Sequence, residues 1–226
     1  MFQNPEALRR DFDEIAELDE PRWNHNRCYF GRVLRGLPAD CGRVLDVGCG
    51  LGELSALAAE RARKVVALDL SPRMIERARA LHSRPNIEYV CADLLDCAGR
   101  FGDGSFDAII STATAHHLPY GWFLGFAGRV LRPGGRLIVL DLARAETAVD
   151  RLVWGFAALP NAAMNLALNH TLRGEDAHSR EVWARHGQHD SYMTLRELRA
   201  AAREHCPGAE LRRLLFWRYL LVWERI

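Results

Sequence analysis

The chain has 226 residues, 30 of them basic and 29 acidic, for a net charge of +1. That length suits one α/β domain with a substantial core, and the near-neutral balance leaves no bulk electrostatic case for a nucleic-acid partner. The acidic, amphipathic N-terminus does not read as a signal peptide, and the six cysteines form no C-x-x-C pair and no zinc-like spacing, so free thiols in a reducing cytoplasm are expected.

In chain order, Leu8, Phe12, Ile15 and Leu18 recur at helical spacing until Pro21 breaks the pattern, and a second helix is expected from Asn24 or Asn26 to about Leu37. The stretch Trp23-Asn24-His25-Asn26, with Tyr29 after it, is too polar and aromatic for an ordinary amphipathic helix. Strands at 43–47, 64–68, 87–91, 106–111 and 136–141 then alternate with helices at 51–61, 72–82 and 122–131. Near-continuous apolar strands in such alternation argue for a parallel sheet covered on both faces. An insertion follows to about residue 193. Its charge-free stretch 152–169 holds Pro160 and is short of the ~20 apolar residues of a membrane span, so it reads as a buried cap helix or a subunit contact. Thr194 and Glu197 form a capping box for a last helix, and 211–216 and 219–224 read as closing strands. The expected fold is α/β, a doubly wound Rossmann-like sheet of seven strands in one domain. Residues 1–40 precede a cofactor core at 41–141, a substrate-pocket insertion at 142–193 and a closing unit at 194–226.

The most informative segment is Arg43-Val-Leu-Asp46-Val-Gly48-Cys49-Gly50-Leu-Gly52. Glycines at alternate positions after a strand let the backbone turn sharply and leave room for a ligand against it. The pyrophosphate-binding version of this turn is G-x-G-x-x-G. Here the third glycine comes one residue early, and Asp46 would repel a pyrophosphate but suits a cationic amino-acid ligand. S-adenosylmethionine is the cofactor implied. Asp69 ends the second strand, 17 residues after Gly52, where a carboxylate can accept hydrogen bonds from a ribose diol. Ser71-Pro72 reads as a helix cap. Because ligands of open α/β sheets bind at the carboxyl ends of the strands, Ser111 to His117 should lie beside the sulfonium.

Residues 44–55 resemble the first motif of the class I S-adenosylmethionine-dependent methyltransferases, and most resemble the small-molecule branch around the ubiquinone/menaquinone-biosynthesis C-methyltransferases. Further matches continue across about 43–141. The resemblance implies an antiparallel last strand, and makes Asp93 the acceptor for the adenine amino group, with Leu70 and Leu94 sandwiching the ring. Cys49 and Met74 complete the expected cofactor contacts. It also makes residues 1–40 a lid, with His25 or Tyr29 near the methionine part, where an aromatic ring favours a sulfonium.

His116-His117-Leu118-Pro119 resembles the family's segment after the fourth strand. An imidazole near pKa ~6.5 can take a proton from a substrate hydroxyl or amine, and Asp141, at the end of the fifth strand, could orient it. Structural roles stay open beside these: the histidines can fold the loop or cap the helix, and Asp141 can cap the segment that follows. In 173–192 the histidines at 178, 186 and 189, with Asp176 and Asp190, lack metal-ligand spacing, so no metal is expected; Trp154, Phe156, Met164 and Trp183 were expected to line a substrate pocket. The reading is methyl transfer to a small, partly apolar metabolite by a cytoplasmic monomer or homodimer, with no nucleic-acid or membrane partner. The alternatives are a cyclase that consumes or uses the cofactor, and a catalytically silent binding protein.

Overall fold

A computed structural model of the chain describes residues 4–19, 22–170, 177–188 and 190–226. Pro21, Arg173, Asp176 and His189, which entered the sequence reading, lie outside the described residues. The strands are β1 (Arg43–Val47), β2 (Lys64–Asp69), β3 (Ile87–Cys91), β4 (Phe106–Thr112), β5 (Leu131–Leu142), β6 (Glu210–Arg213) and β7 (Arg218–Glu224). They form one seven-stranded sheet in the order β3-β2-β1-β4-β5-β7-β6. β1 to β5 are parallel, β7 runs antiparallel to β5, and β6 antiparallel to β7. The order reverses between β1 and β4, and that switch point is where open α/β sheets bind ligands.

The helices are α1 (Pro5–Ile15), α2 (Phe30–Arg35), α3 (Glu53–Ala58), α4 (Pro72–His82), α5 (Leu94–Cys97), α6 (Tyr120–Val130), α7 (Ala148–Phe156), α8 (Ala158–Asn169), α9 (Ala177–Gly187) and α10 (Leu195–His205). Strand alternation divides the core into two layers. Val44 and Val65 pack on one face with Val33, Leu54 and Ile75 from α2, α3 and α4. Leu45 and Val66 pack on the other with Phe123, Leu124 and Leu198 from α6 and α10. Each such side chain, fully buried, contributes ~1.5–3 kcal/mol. α1 stands outside both layers, where Ile15 meets Met74 of α4 and Val182 of α9.

The caps follow from the sequence. Ser71 Oγ accepts from Met74 N ahead of Pro72, and Thr194 and Glu197 form the reciprocal box at α10. A second box, Thr147 with Asp150, starts α7. Three segments depart from expectation. β5 begins at Leu131, because Phe106 pairs with Leu131 while Ala108 pairs with Arg136, so the Pro-Gly-Gly turn is a bulge within the strand. The stretch 152–169 is split between α7 and α8 and is no buried cap: Leu152, Phe156 and Leu159 face outward, at 61%, 67% and 76% exposure. β6 stops at Arg213, and Phe216 and Trp217 both take φ +57 in the tight link to β7, a conformation large side chains rarely adopt. No helix among the described residues is long and apolar enough to cross a membrane.

Candidate active site

The glycine loop leaves β1 at the switch point. The amides of Gly48 and Cys49 donate to Leu68 O at 2.8 and 2.9 Å, folding the loop onto the end of β2. Asp69 then fixes it: Oδ2 accepts from Gly50 N at 2.8 Å, and Oδ1 from Ser71 N at 2.9 Å. Burial pushes the Asp69 carboxyl above its usual range, and those amides oppose the rise. Gly50 has φ +51, and a Cβ placed there would meet nothing within 4 Å. The loop backbone therefore borders open space that a side chain would fill. Beneath it Asp46 is 1% exposed and accepts from Ser55 Oγ at 2.5 Å. Burial raises its pKa to about 7, the Ser55 bond opposing. Cys49 and Asp46 border a small cavity under the loop with Gly48, Gly50 and Gly52.

In front of the loop lies a cavity of about 730 Å³. Gly48, Gly50, Asp69, Leu70, Met74, Asp93 and Leu94 line it together, so residues from the ends of β1, β2 and β3 meet on one wall. Asp93 Oδ1 also accepts from Leu95 N at 2.8 Å, capping α5. These groups fit the adenosine and amino-acid parts of S-adenosylmethionine: a carboxylate at a strand end for a diol, apolar side chains for a ring, and an uncluttered glycine backbone.

On the adjoining wall β4 delivers Thr112, Ala113 and Thr114, the last of them against Gly48, followed by the two histidines. Asp141 is fully buried and organises the first of them. Its Oδ1 lies 2.7 Å from His116 Nδ1, and its Oδ2 accepts from His116 N at 2.9 Å. Burial would raise the Asp141 carboxyl, but His116 outweighs it and holds it below the usual range. With Nδ1–H donated to Asp141, His116 presents Nε2 as a base, 4.0 Å from Asp190 Oδ2. His117 Nδ1 lies 3.7 Å from Asp190 Oδ1, as does His186 Nε2. Burial and then the neighbouring His116 ring push His117 well below its usual pKa. Tyr192 Oη donates to Asp190 Oδ2 at 2.5 Å, and Phe12 of α1 closes the cluster edge-on, 4.9 Å from His186. Donor atoms of His116, His117 and Asp190 lie within 4.8 Å of one another, near enough to hold a cation. The spacing rules missed this group because two residues come from the loop after β4 and the carboxylate from beyond α9.

His25 lines the cavity as expected, its Nε2 2.8 Å from Asn161 Oδ1 and its ring stacked on Phe216 at 4.9 Å. Two expected contacts are displaced. Tyr29 packs in the core beside Phe216, donates to Leu215 O at 3.4 Å and is absent from the cavity wall, because the Phe216–Trp217 turn fills the space between. Ser111 is fully buried and donates to Val47 O at 3.0 Å, stitching β4 to β1, so Thr112 to Thr114 take the exposed strand end instead. Of the four insertion residues expected in the pocket, Trp183 lines it. Trp154 is core, with its Nε1 donating to Leu214 O at 2.9 Å, and Phe156 faces out. Asn24, Asn26, Asn161, Asn165, Tyr192 and Arg218 also line the cavity without having been singled out for it.

A methyltransferase-domain family model matches residues 45–139. The chain is 30% identical over 208 residues to an uncharacterized methyltransferase of Mycobacterium tuberculosis, covering 91% of this chain and 98% of that one. It is 36% identical over 116 residues to a ubiquinone biosynthesis O-methyltransferase of Xanthomonas oryzae pv. oryzae, 50% of this chain and 48% of the relative. Its fold is similar to that of an N-methyltransferase from Bradyrhizobium japonicum in complex with S-adenosyl-L-homocysteine, with TM-score 0.62, 16% identity and coverage of 96% and 98%.

Proposed function

We propose, for a chain that belongs to the class I S-adenosylmethionine-dependent methyltransferases, that it methylates a small, partly apolar metabolite at an oxygen, nitrogen or carbon. One observation carries the reading: His116, held by the buried Asp141, and the glycine loop with Asp69 border the same cavity from adjoining walls. Asp69 and Asp93 would hold the ribose and adenine, Leu70, Met74 and Leu94 would pack on the ring, and Asp46 would face the cationic amino-acid end. When bound, the cofactor supplies an electrophilic methyl carbon for in-line displacement.

The chain's own residues supply position and a proton sink. An acceptor held between the two walls is aligned by the cavity, and alignment of this kind can provide most of the rate. Where the acceptor is a hydroxyl or a protonated amine, His116 Nε2 takes its proton while Asp141 stabilises the imidazolium that forms. His117 and Asp190 sit behind it and balance that charge. α1, with Phe12 against the histidines, covers the site and keeps water from it. Six free thiols, two of them exposed, suit a reducing cytoplasm, and the near-neutral charge gives no case for a nucleic-acid partner.

The test incubates the protein with S-adenosylmethionine and a metabolite extract and follows products by mass. A product heavier by one methyl group, together with S-adenosylhomocysteine, supports the reading. A rearranged product of unchanged mass would move the chain to the cyclase alternative, and failure to bind the cofactor at all would make it a silent relative.

A further inference from the structure

One charged group in the cavity is not used by the chemistry above. Arg218 opens β7 in register with Leu142 of β5, one residue beyond Asp141. Its side chain lines the cavity although the residue is only 7% exposed. Of the five N–H donors of a guanidinium, Nε gives one to Asn26 Oδ1 at 2.9 Å and Nη1 one to Phe216 O at 3.2 Å, leaving three. Both partners are neutral. Among the described residues no carboxylate comes within the 4.0 Å of an ion pair. Asp141 acts on it only through space, its oxygens being taken by His116 and by Leu142 N. Asn26 is its direct side-chain partner, and Asn24, Asn161, Asn165 and Tyr192 line the same cavity.

A buried cation that has no direct ion pair among the described residues, with Asp141 acting on it only through space, is costly to keep and can take up an anion that enters the cavity. A guanidinium with three unused donors can take a carboxylate bidentately, and its single positive charge balances the single negative charge of that group. We propose that Arg218 is an anion-binding anchor of the active-site cavity, and that the methyl acceptor carries a carboxylate held by it. This rests on the methyl-transfer reading. Arg218 stands in register with Leu142, next to Asp141, and lines the same cavity as His116, so both can face one acceptor. The acceptor is then an acid.

The same carboxylate chemistry has a second source. Asn24 and Asn26 also border the small cavity under the glycine loop, so the amino-acid end of the cofactor could reach Arg218. Titration calorimetry on the full-length protein separates the two. S-adenosylhomocysteine is titrated first into wild type, Arg218→Gln and Arg218→Lys; its binding to wild type tests the methyl-transfer reading alone. Benzoate and octanoate are then compared with benzamide and octanamide, with and without S-adenosylhomocysteine. The proposal expects wild type to prefer the acids at least tenfold, Arg218→Gln to lose that preference while binding S-adenosylhomocysteine within threefold of wild type, and Arg218→Lys to keep part of it. If Arg218→Gln does not fold, the partial preference of Arg218→Lys carries the test. A wild type that does not distinguish acids from amides overturns the proposal. So does a tenfold loss of S-adenosylhomocysteine affinity in either variant, which would assign the guanidinium to the cofactor's own carboxylate.

Discussion

Replacing Asp46 with asparagine should separate cofactor binding from stability in opposite directions. The Asp46 carboxyl is buried beneath the glycine loop and titrates at about 7 instead of its usual 3.8. A folded-state carboxyl pKa above the unfolded one stabilises the fold at low pH, and that stability is lost as pH rises from ~4 through ~7. The difference of about three pH units corresponds to roughly 4 kcal/mol at 1.36 kcal/mol each. A cationic ligand beside Asp46 favours the ionised form, so binding should expel the proton. Wild type should release a proton on binding S-adenosylmethionine, with the release larger at pH 6 than at pH 8. Calorimetry in two buffers of different ionisation enthalpy counts those protons, and the Asp46→Asn difference removes the ligand's own titration. The variant should release none from this site and bind about 10- to 150-fold more weakly, the ~1.5–3 kcal/mol of a charge-assisted bond. Without ligand at pH 8 it should melt no lower than wild type, since it buries no anion. Equal proton release from the two proteins would refute the placement of Asp46 at the cationic end.

Gly50→Val should abolish cofactor binding with a modest loss of stability, because the new side chain meets open space at φ +51 that the ligand requires; wild-type affinity by calorimetry would remove the loop from the site. For a hydroxyl acceptor, His116→Ala should lower single-turnover rates ~10²–10⁴-fold with cofactor affinity nearly unchanged, and Asp141→Asn should follow it; a joint loss of cofactor binding would make the His116–Leu118 segment structural. Activity should survive dialysis against a chelator, because the proposed methyl transfer needs only alignment and His116 as proton acceptor; a loss restored by a divalent metal would show that His116, His117 and Asp190 hold an ion. Hydrogen exchange in α1 should slow on adding cofactor and substrate, since its packing on the histidine cluster rests on Phe12; equal protection in both states would make it a fixed arm.

Much of the core was legible because its local and tertiary signals agree. Ser71-Pro72 caps and opens α4 as read, and β3 occupies the expected residues, since each apolar run is bounded by groups that cannot continue it. The positions of Asp69 and Asp93, proposed to hold the cofactor, were legible for the same reason: both stand at strand ends whatever the surroundings. What escaped depends on contacts between distant segments. Tyr29 and Ser111 look like polar groups near a site, yet the strained Phe216–Trp217 turn and the β1–β4 stitch draw them into the core. Asp190 joins His116 only because α9 brings the chain back across the cavity. Arg218 looks like a surface charge at a strand start; its one sequence signal is its place beside the apolar run that becomes β7.

Titration of S-adenosylhomocysteine into wild type and Asp69→Ala tests the central claim most directly. Asp69 holds Gly50 N and Ser71 N and stands at the end of β2 where a ribose would lie. Wild type should bind one equivalent, and the folded variant should lose ~1.5–3 kcal/mol of binding, about 10- to 150-fold in affinity. No binding to wild type, or equal affinity in the two proteins, would contradict the account.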